Sequence, residues 1–246
     1  MIDDPKLLAL ALLAALCIGI SKAGFSGISM VSVVILAEIY GAKQSVGLAL
    51  PLLLAADLMA YPAFLKHGSW KAVWRLMPAA IVGLILGWWL LSKIEDAMLK
   101  HLIGACVLLM VFLQVFRNLS PTWFRALAES SSFGIAAGSF GGFSTMVANA
   151  AGPVIQLYLL TRRIPKMEMI GISARFFLLI NILKIPLNAS LATITSQSLL
   201  ENLKLLPGVI IGLLLGRWLI SRVPQSAFEW MIVVFSFLAA IRLLST

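Results

Sequence analysis

One stretch of the chain occurs twice. Pro78-Ala-Ala-Ile-Val-Gly-Leu-Ile-Leu-Gly-Trp-Trp-Leu-Leu-Ser-Lys-Ile94 returns as Pro207-Gly-Val-Ile-Ile-Gly-Leu-Leu-Leu-Gly-Arg-Trp-Leu-Ile-Ser-Arg-Val223, with Pro, both Gly, Trp and Ser in register. Upstream, Ser21, Gly24, Phe25 and Ser26 match Ser139, Gly142, Phe143 and Ser144, while Gly47, Asp57 and Pro62 match Gly171, Asn181 and Pro186. Chance likeness between apolar segments would not keep these residue types in order. The chain therefore reads as a duplication, with a first repeat over 1–118 and a second over 119–246.

Each repeat is too apolar for a soluble half-domain. Of 246 residues, 61% are hydrophobic and 12% charged, and the mean hydropathy is +1.02. Soluble domains run roughly 45–50% apolar and about 25% charged, and a globule needs polar cover. A soluble enzyme, a disordered chain and a nucleic-acid-binding domain are excluded as leading readings. Charged and turn residues divide the chain into ten apolar segments: 7–20, 25–40, 45–65, 73–92, 98–116, 127–138, 142–160, 168–187, 205–220 and 227–244. A crossing takes about 20 residues. The first and sixth segments are too short to cross untilted, and glycine-bearing stretches follow them, Ser21–Gly27 and Gly138–Thr145. Such stretches read as breaks between half-helices, tolerated where backbone lines an enclosed cavity.

Each repeat then holds a broken or re-entrant helical hairpin and three membrane helices. A hairpin returns the chain to its starting side, and three crossings make the total odd, so the second repeat is expected upside down. The expected fold is an all-α polytopic membrane protein of two inverted repeats, forming one membrane domain. Inverted repeats characterise secondary transporters, whose substrate site lies near the midplane between them. The net charge of +9, from 19 Lys+Arg against 10 Asp+Glu, suits basic loops better than a nucleic-acid partner. Ten basic residues (Lys66, Lys71, Arg75, Arg117, Arg125, Arg162, Arg163, Lys166, Arg217 and Arg222) gather on one face. Lys6, Lys43, Lys93, Lys100, Lys204 and Arg242 gather on the other, which makes the first face cytoplasmic and leaves both termini outside. Met1-Ile-Asp-Asp-Pro-Lys6 lacks the basic leader of a signal peptide, so the N-terminus is expected to be retained.

Gly138-Ser-Phe-Gly-Gly-Phe-Ser-Thr-Met-Val-Ala-Asn-Ala-Ala-Gly-Pro153, Phe176-Phe-Leu-Leu-Ile-Asn-Ile-Leu-Lys-Ile-Pro186 and Leu48-Ala-Leu-Pro-Leu-Leu-Leu-Ala-Ala-Asp57 resemble the TauE/SafE sulfite-exporter family of permeases. The likeness covers nearly the whole chain. It implies transport, often export, of sulfite or small organosulfonates such as sulfoacetate across the cytoplasmic membrane of a bacterium.

Charges within spans are expensive and by default mark function. Lys22, at the tip of the first hairpin, either reaches a central cavity or snorkels to a headgroup. Arg175 and Lys184, on one helix, differ by about 13.5 Å in depth and about 180° in direction, so they cannot both face one cavity. Lys184 shares a face with Asn181 and Asn188 and is the better ligand candidate, which leaves Arg175 to an inter-helix or headgroup contact. Asp57, the one acid well inside a span, is either the structural partner of Lys22 or Lys184 or an ion-coupling group that carries a proton. The two glycine breaks are expected to present half-helix N-termini, free N–H groups and hydroxyls as an anion cradle. The residues expected in and around that cradle to bind substrate are Lys22, Gly24, Phe25, Ser26, Gly142, Phe143, Ser144, Thr145, Asn149, Asn181 and Lys184, with Asn149 either contacting the ligand or bracing the second hairpin. Close helix packing is the plainer use of the same small residues, and it is the expected role of Gly83-Leu-Ile-Leu-Gly87 and Gly212-Leu-Leu-Leu-Gly216.

No motif for ATP, haem, flavin or zinc appears, and His67, His101, Cys17 and Cys106 lack metal-ligand spacing, so neither cofactor nor metal is expected. Trp70, Trp74, Trp88, Trp89, Trp123, Trp218 and Trp230 flank segment ends and suit interfacial anchoring. The expected partners are a small anionic substrate, a coupling proton or cation, and membrane lipid, with self-association left open. A channel or passive pore would share the anion site. An intramembrane enzyme would need a catalytic pair that Asp57 alone does not supply.

Overall fold

Backbone polar groups in lipid must be satisfied within the chain, and a helix does this locally. The computed structural model describes residues 4–119, 131–162 and 164–219, with single residues beyond them, and among these it contains helices and no strand. In chain order they are α1 (Pro5–Lys22), α2 (Ser29–Tyr40), α3 (Ala42–Ala60), α4 (Trp70–Lys93), α5 (Asp96–Leu119), α6 (Ser131–Ala148), α7 (Gly152–Thr161), α8 (Lys166–Ser190) and α9 (Ser196–Leu219). Short 3-10 turns precede α2 at Ser26–Ile28 and follow α3 at Tyr61–Phe64. Six described helices are long and apolar enough to cross a membrane, α1, α3, α4, α5, α8 and α9. The protein is a polytopic membrane protein. Most of the tenth apolar segment, together with Trp123, Arg125, Arg163 and Arg242, lies outside the described residues.

Two boundaries differ from the sequence reading. The first segment is long enough to span, because Asp4 and Pro5 start the helix early and Ser21 and Lys22 continue it. The Asp4 carboxylate accepts from the Lys6 N–H at 2.8 Å, and Pro at the first helical position has no N–H to leave unpaired. The second difference is larger. Gly138–Thr145 is no break: α6 runs through it to Ala148, and the chain turns at Asn149–Ala151. Those glycines are used for contact. A Cβ on Gly142 would collide with the Ala80 carbonyl of α4, and one on Gly83 with the Ser139 carbonyl of α6. Small residues let membrane helices approach backbone to backbone.

The same joint recurs between α1 and α9. A Cβ on Gly19 would strike the Val209 carbonyl, and one on Gly212 the Leu16 carbonyl. Each hairpin's first helix therefore packs on the glycine-rich helix of the other half of the chain. Because Gly83 matches Gly212 and Ala80 matches Val209, Leu16 holds the place of Ser139 and Gly19 that of Gly142. Counting on from there, Ser21 answers to Ser144, where sequence matching had paired it with Ser139. The Ser26–Ile28 turn then answers to the turn at Asn149–Ala151, and Ser29 to Gly152.

Helices α3 and α8 pack together in the middle, tied at both ends by the loop of the opposite half. A Cβ on Gly47 of α3 would strike Thr193, after α8, and one on Gly171 of α8 would strike His67, after α3. Arg175 completes the second tie. Its Nη1 donates to the carbonyls of Phe64 (3.3 Å), His67 and Gly171 (3.0 Å), and its Nη2 to that of Leu65 (2.8 Å). Glu168 accepts from the Gly68 N–H at 2.7 Å.

Candidate functional site

The site begins with the two hairpin turns. After Lys22, Gly24 takes φ +118°, a conformation that favours glycine, and bends the chain into the 3-10 turn that leads to α2. At the other turn Asn149 takes φ +51°, a left-handed conformation that asparagine tolerates. The N–H groups of Asn149 and Ala150 donate to the Thr145 and Ser144 carbonyls at 3.1 and 3.4 Å, closing the end of α6. The Asn149 amide donates to the Val46 carbonyl of α3 at 3.2 Å. Gln156 of α7 donates to the Gly24 carbonyl at 3.2 Å, so the hairpins are joined directly.

Between the turns lies a small cavity that opens at one mouth and is walled by both hairpins. Ser21, Lys22, Gly24 and Ser29 line it from the first hairpin, and Thr145, Asn149, Gly152 and Gln156 from the second. Asp57 lines it from α3. On α8 the lining residues Ile170, Ser173, Ala174, Phe177 and Asn181 recur every three or four positions, one helical stripe. The first residues of α2 and α7, Ser29 and Gly152, both face this space, and the positive ends of two helix dipoles come with them.

Three ionisable groups govern its electrostatics. Lys22 Nζ stands 2.8 Å from Asp57 Oδ1 and 4.8 Å from the centre of the Phe177 ring. Asn181, the sequence counterpart of Asp57, donates from Nδ2 to Asp57 Oδ2 at 2.7 Å. The two matched residues of the duplication thus bond to each other. Lys184 is fully buried one helical turn beyond, where Nζ donates to the Thr145 carbonyl at 2.7 Å and to Asn149 Oδ1. It does not line the cavity; it ties the second turn to α8.

Of the residues expected in a cradle, Lys22, Gly24, Thr145, Asn149 and Asn181 line the cavity, as does Asp57. Gly142 and Phe143 instead pack on α4, since Gly142 meets Ala80 and the Phe143 backbone crowds Gly83 and Gly87. Ser144 is buried, and its hydroxyl donates back to the Gly141 carbonyl at 3.2 Å. The N–H groups of Phe143, Ser144 and Thr145 lie inside a helix and are not free, so the second set of N–H groups belongs at the start of α7. Phe25 is buried among core residues. Ser26 opens the 3-10 turn. Arg175 and Lys184 do face different partners, as their spacing demanded. Sequence reasoning missed Ser29, Gly152, Gln156 and Ser173. The signal for Ser173 was available in its spacing from Phe177 and Asn181, and the signal for Gln156 in its being the one amide among apolar residues of α7.

A polytopic helical protein that draws charged and polar side chains from two hairpins into one internal cavity has the build of a membrane permease. The sequence model of the sulfite exporter TauE/SafE family matches residues 11–243, and the chain belongs to that family of membrane transporters. No curated protein and no solved structure matches the chain.

Proposed function

We propose that the protein is a secondary transporter that moves small sulfur-containing anions, sulfite or organosulfonates such as sulfoacetate, across the cytoplasmic membrane. The observation that carries this reading is the Lys22 ammonium in a cavity walled by both hairpin turns. An anion there meets a cation, the hydroxyls of Ser21, Ser29, Ser173 and Thr145, the amides of Asn149, Gln156 and Asn181, and two helix N-termini. Leu53, Ala60 and Phe177 give the same cavity an apolar side for an organic tail. In this reading Lys22, Gly24, Thr145, Asn149 and Asn181 hold the substrate, Lys184 fixes the second turn, and Asp57 couples transport to an ion.

Residues 1–118 and 119–246 act as two inverted repeats around this site, with the Lys66, Lys71 and Arg217 face in the cytoplasm. The matched joints of α1 with α9 and α4 with α6 support that arrangement. Calorimetry of purified protein with sulfite, sulfoacetate and thiosulfate tests the reading. Saturable binding that Lys22→Ala weakens by roughly ten- to a hundredfold is expected, the loss of one or two hydrogen bonds to a charged group. Binding untouched by that substitution would place the substrate elsewhere.

A further inference from the structure

Asp57 takes, with its own carboxylate, two of the contacts an anionic ligand in this cavity would seek: the Lys22 ammonium on Oδ1 and the Asn181 amide N–H on Oδ2. Asn181 Oδ1 is buried and has no hydrogen-bond partner among the described residues, and Asp57 Oδ1, in ion-pair contact with Lys22, makes no hydrogen bond there either. A buried amide oxygen without a donor calls for a physical reason. The neighbouring carboxyl would supply the missing donor if it carried a proton. A protonated carboxyl and a primary amide are complementary, the O–H donating to the amide oxygen and the amide N–H to the other carboxyl oxygen. Asn181 already makes the second of these bonds.

We infer that Asp57 and Asn181 form the proton-binding pair of the transporter, and that anion and proton enter the cavity together. The proton goes to Asp57 Oδ1, the oxygen that Lys22 now holds, and the new O–H turns to Asn181 Oδ1. Lys22 keeps its charge and is released to the anion. A singly charged anion with one proton leaves the total charge of the cavity unchanged, so no unpaired charge stays buried at any stage.

The other charged groups around α3 leave this exchange to Lys22. Lys184 of α8 acts on Asp57 at longer range but is bonded to Thr145 and Asn149. Arg175 of α8 holds the loop after α3, Arg217 of α9 reaches the Met59 carbonyl at 3.2 Å, and Glu201 of α9 pairs with Lys204. Asp96 of α5 accepts from the N–H groups of Ala42 and Lys43 at the far end of α3. Glu38 lies nine residues after Ser29 on α2, about 13.5 Å along that helix from the cavity.

The inference rests on the anion site proposed above, and one experiment separates the two. Calorimetry with ethanesulfonate, whose own charge is fixed near neutral pH, is run in buffers of different ionisation enthalpy. The wild-type protein should take up close to one proton per anion, and its affinity should fall by up to about tenfold per pH unit as pH rises. Asp57→Asn, which copies Asn181 and so suits the fold, should bind without proton uptake and independently of pH. At about pH 8 it should bind roughly tenfold more tightly than wild type, because a competing charge-assisted contact to Lys22 is gone. In infrared difference spectra a carboxylic-acid band should appear when the anion binds to wild type, and not in Asp57→Asn. Anion binding to wild type without proton uptake, or unchanged uptake in Asp57→Asn, would overturn the inference and leave the anion site standing. No binding by either protein at any pH would remove the anion site, and the inference with it.

Discussion

An ionised side chain at the centre of a span costs roughly 2.5–3.5 kcal/mol on insertion scales. Lys22 and Asp57 offset this by pairing across the cavity, Lys184 by bonding the end of α6, and Arg175 by collecting four carbonyls. All four were visible in the sequence as charges inside apolar runs, and helix geometry separated Arg175 from Lys184. What the sequence did not reveal is which lysine reaches the cavity. Lys184 shares its helix face with Asn181, but its ammonium bonds the Thr145 carbonyl and Asn149 Oδ1, both at the end of α6, and that end lies beyond the Gly138–Thr145 stretch that reads as a break in the sequence. Arg175→Ala removes the side-chain donor to the Leu65 and His67 carbonyls and with it the tie between α8 and the loop after α3, so thermal unfolding in detergent should show a loss of stability on the order of 1–3 kcal/mol. Anion affinity of the folded fraction should be unchanged, because no contact of Arg175 touches the cavity. Lys22→Ala strands the Asp57 carboxylate and should likewise destabilise, whereas the double variant Lys22→Ala, Asp57→Asn should recover most of that loss while still failing to bind anion.

Glycine had two readings in these elements, break or contact, and the helices divide them. Gly24 sits at a true bend with positive φ, while Gly138, Gly141 and Gly142 lie within α6 and Gly142 meets α4 backbone. The string Gly-Phe-Ser occurs at both places, which is why sequence matching aligned a bend with a mid-helix turn. The spacing of Gly83 and Gly212 points to contact, and both meet the backbone of a facing helix. At these sites a methyl group has no room, since the atoms it meets are carbonyl oxygens that cannot rotate away. Gly83→Ala and Gly212→Ala should each cost about 1–3 kcal/mol, the usual penalty of overpacking. Leu214→Ala, on the exposed face of α9, should change little. Thermal melts of the three variants side by side check this, and equal melting temperatures would contradict the close joints described here.

For the molecule as a whole, composition and segment lengths were enough to give a polytopic helical membrane protein, and the sequence repeat predicts two matched halves. Neither could give the cross-packing, in which α1 belongs with α9 and α6 with α4, because contacts between distant segments leave no periodicity in either. If the repeats are inverted around the cavity, both chain ends lie on one side. Tags next to Met1 and Thr246 should then show equal protease access in sealed vesicles of known orientation, and opposite access would remove the inversion.

In the proposed function the cavity between the two hairpin turns carries small anions across the membrane. Counterflow in proteoliposomes tests it most directly: vesicles preloaded with unlabelled sulfite or sulfoacetate are diluted into a trace of the labelled anion. Wild type should show a transient, saturable accumulation of label that Lys22→Ala, Asp57→Asn removes or slows by at least about tenfold, in keeping with lost hydrogen bonds to a charged ligand. Label entry that never exceeds equilibrium would mark a passive pore, and accumulation equal in both proteins would contradict the site.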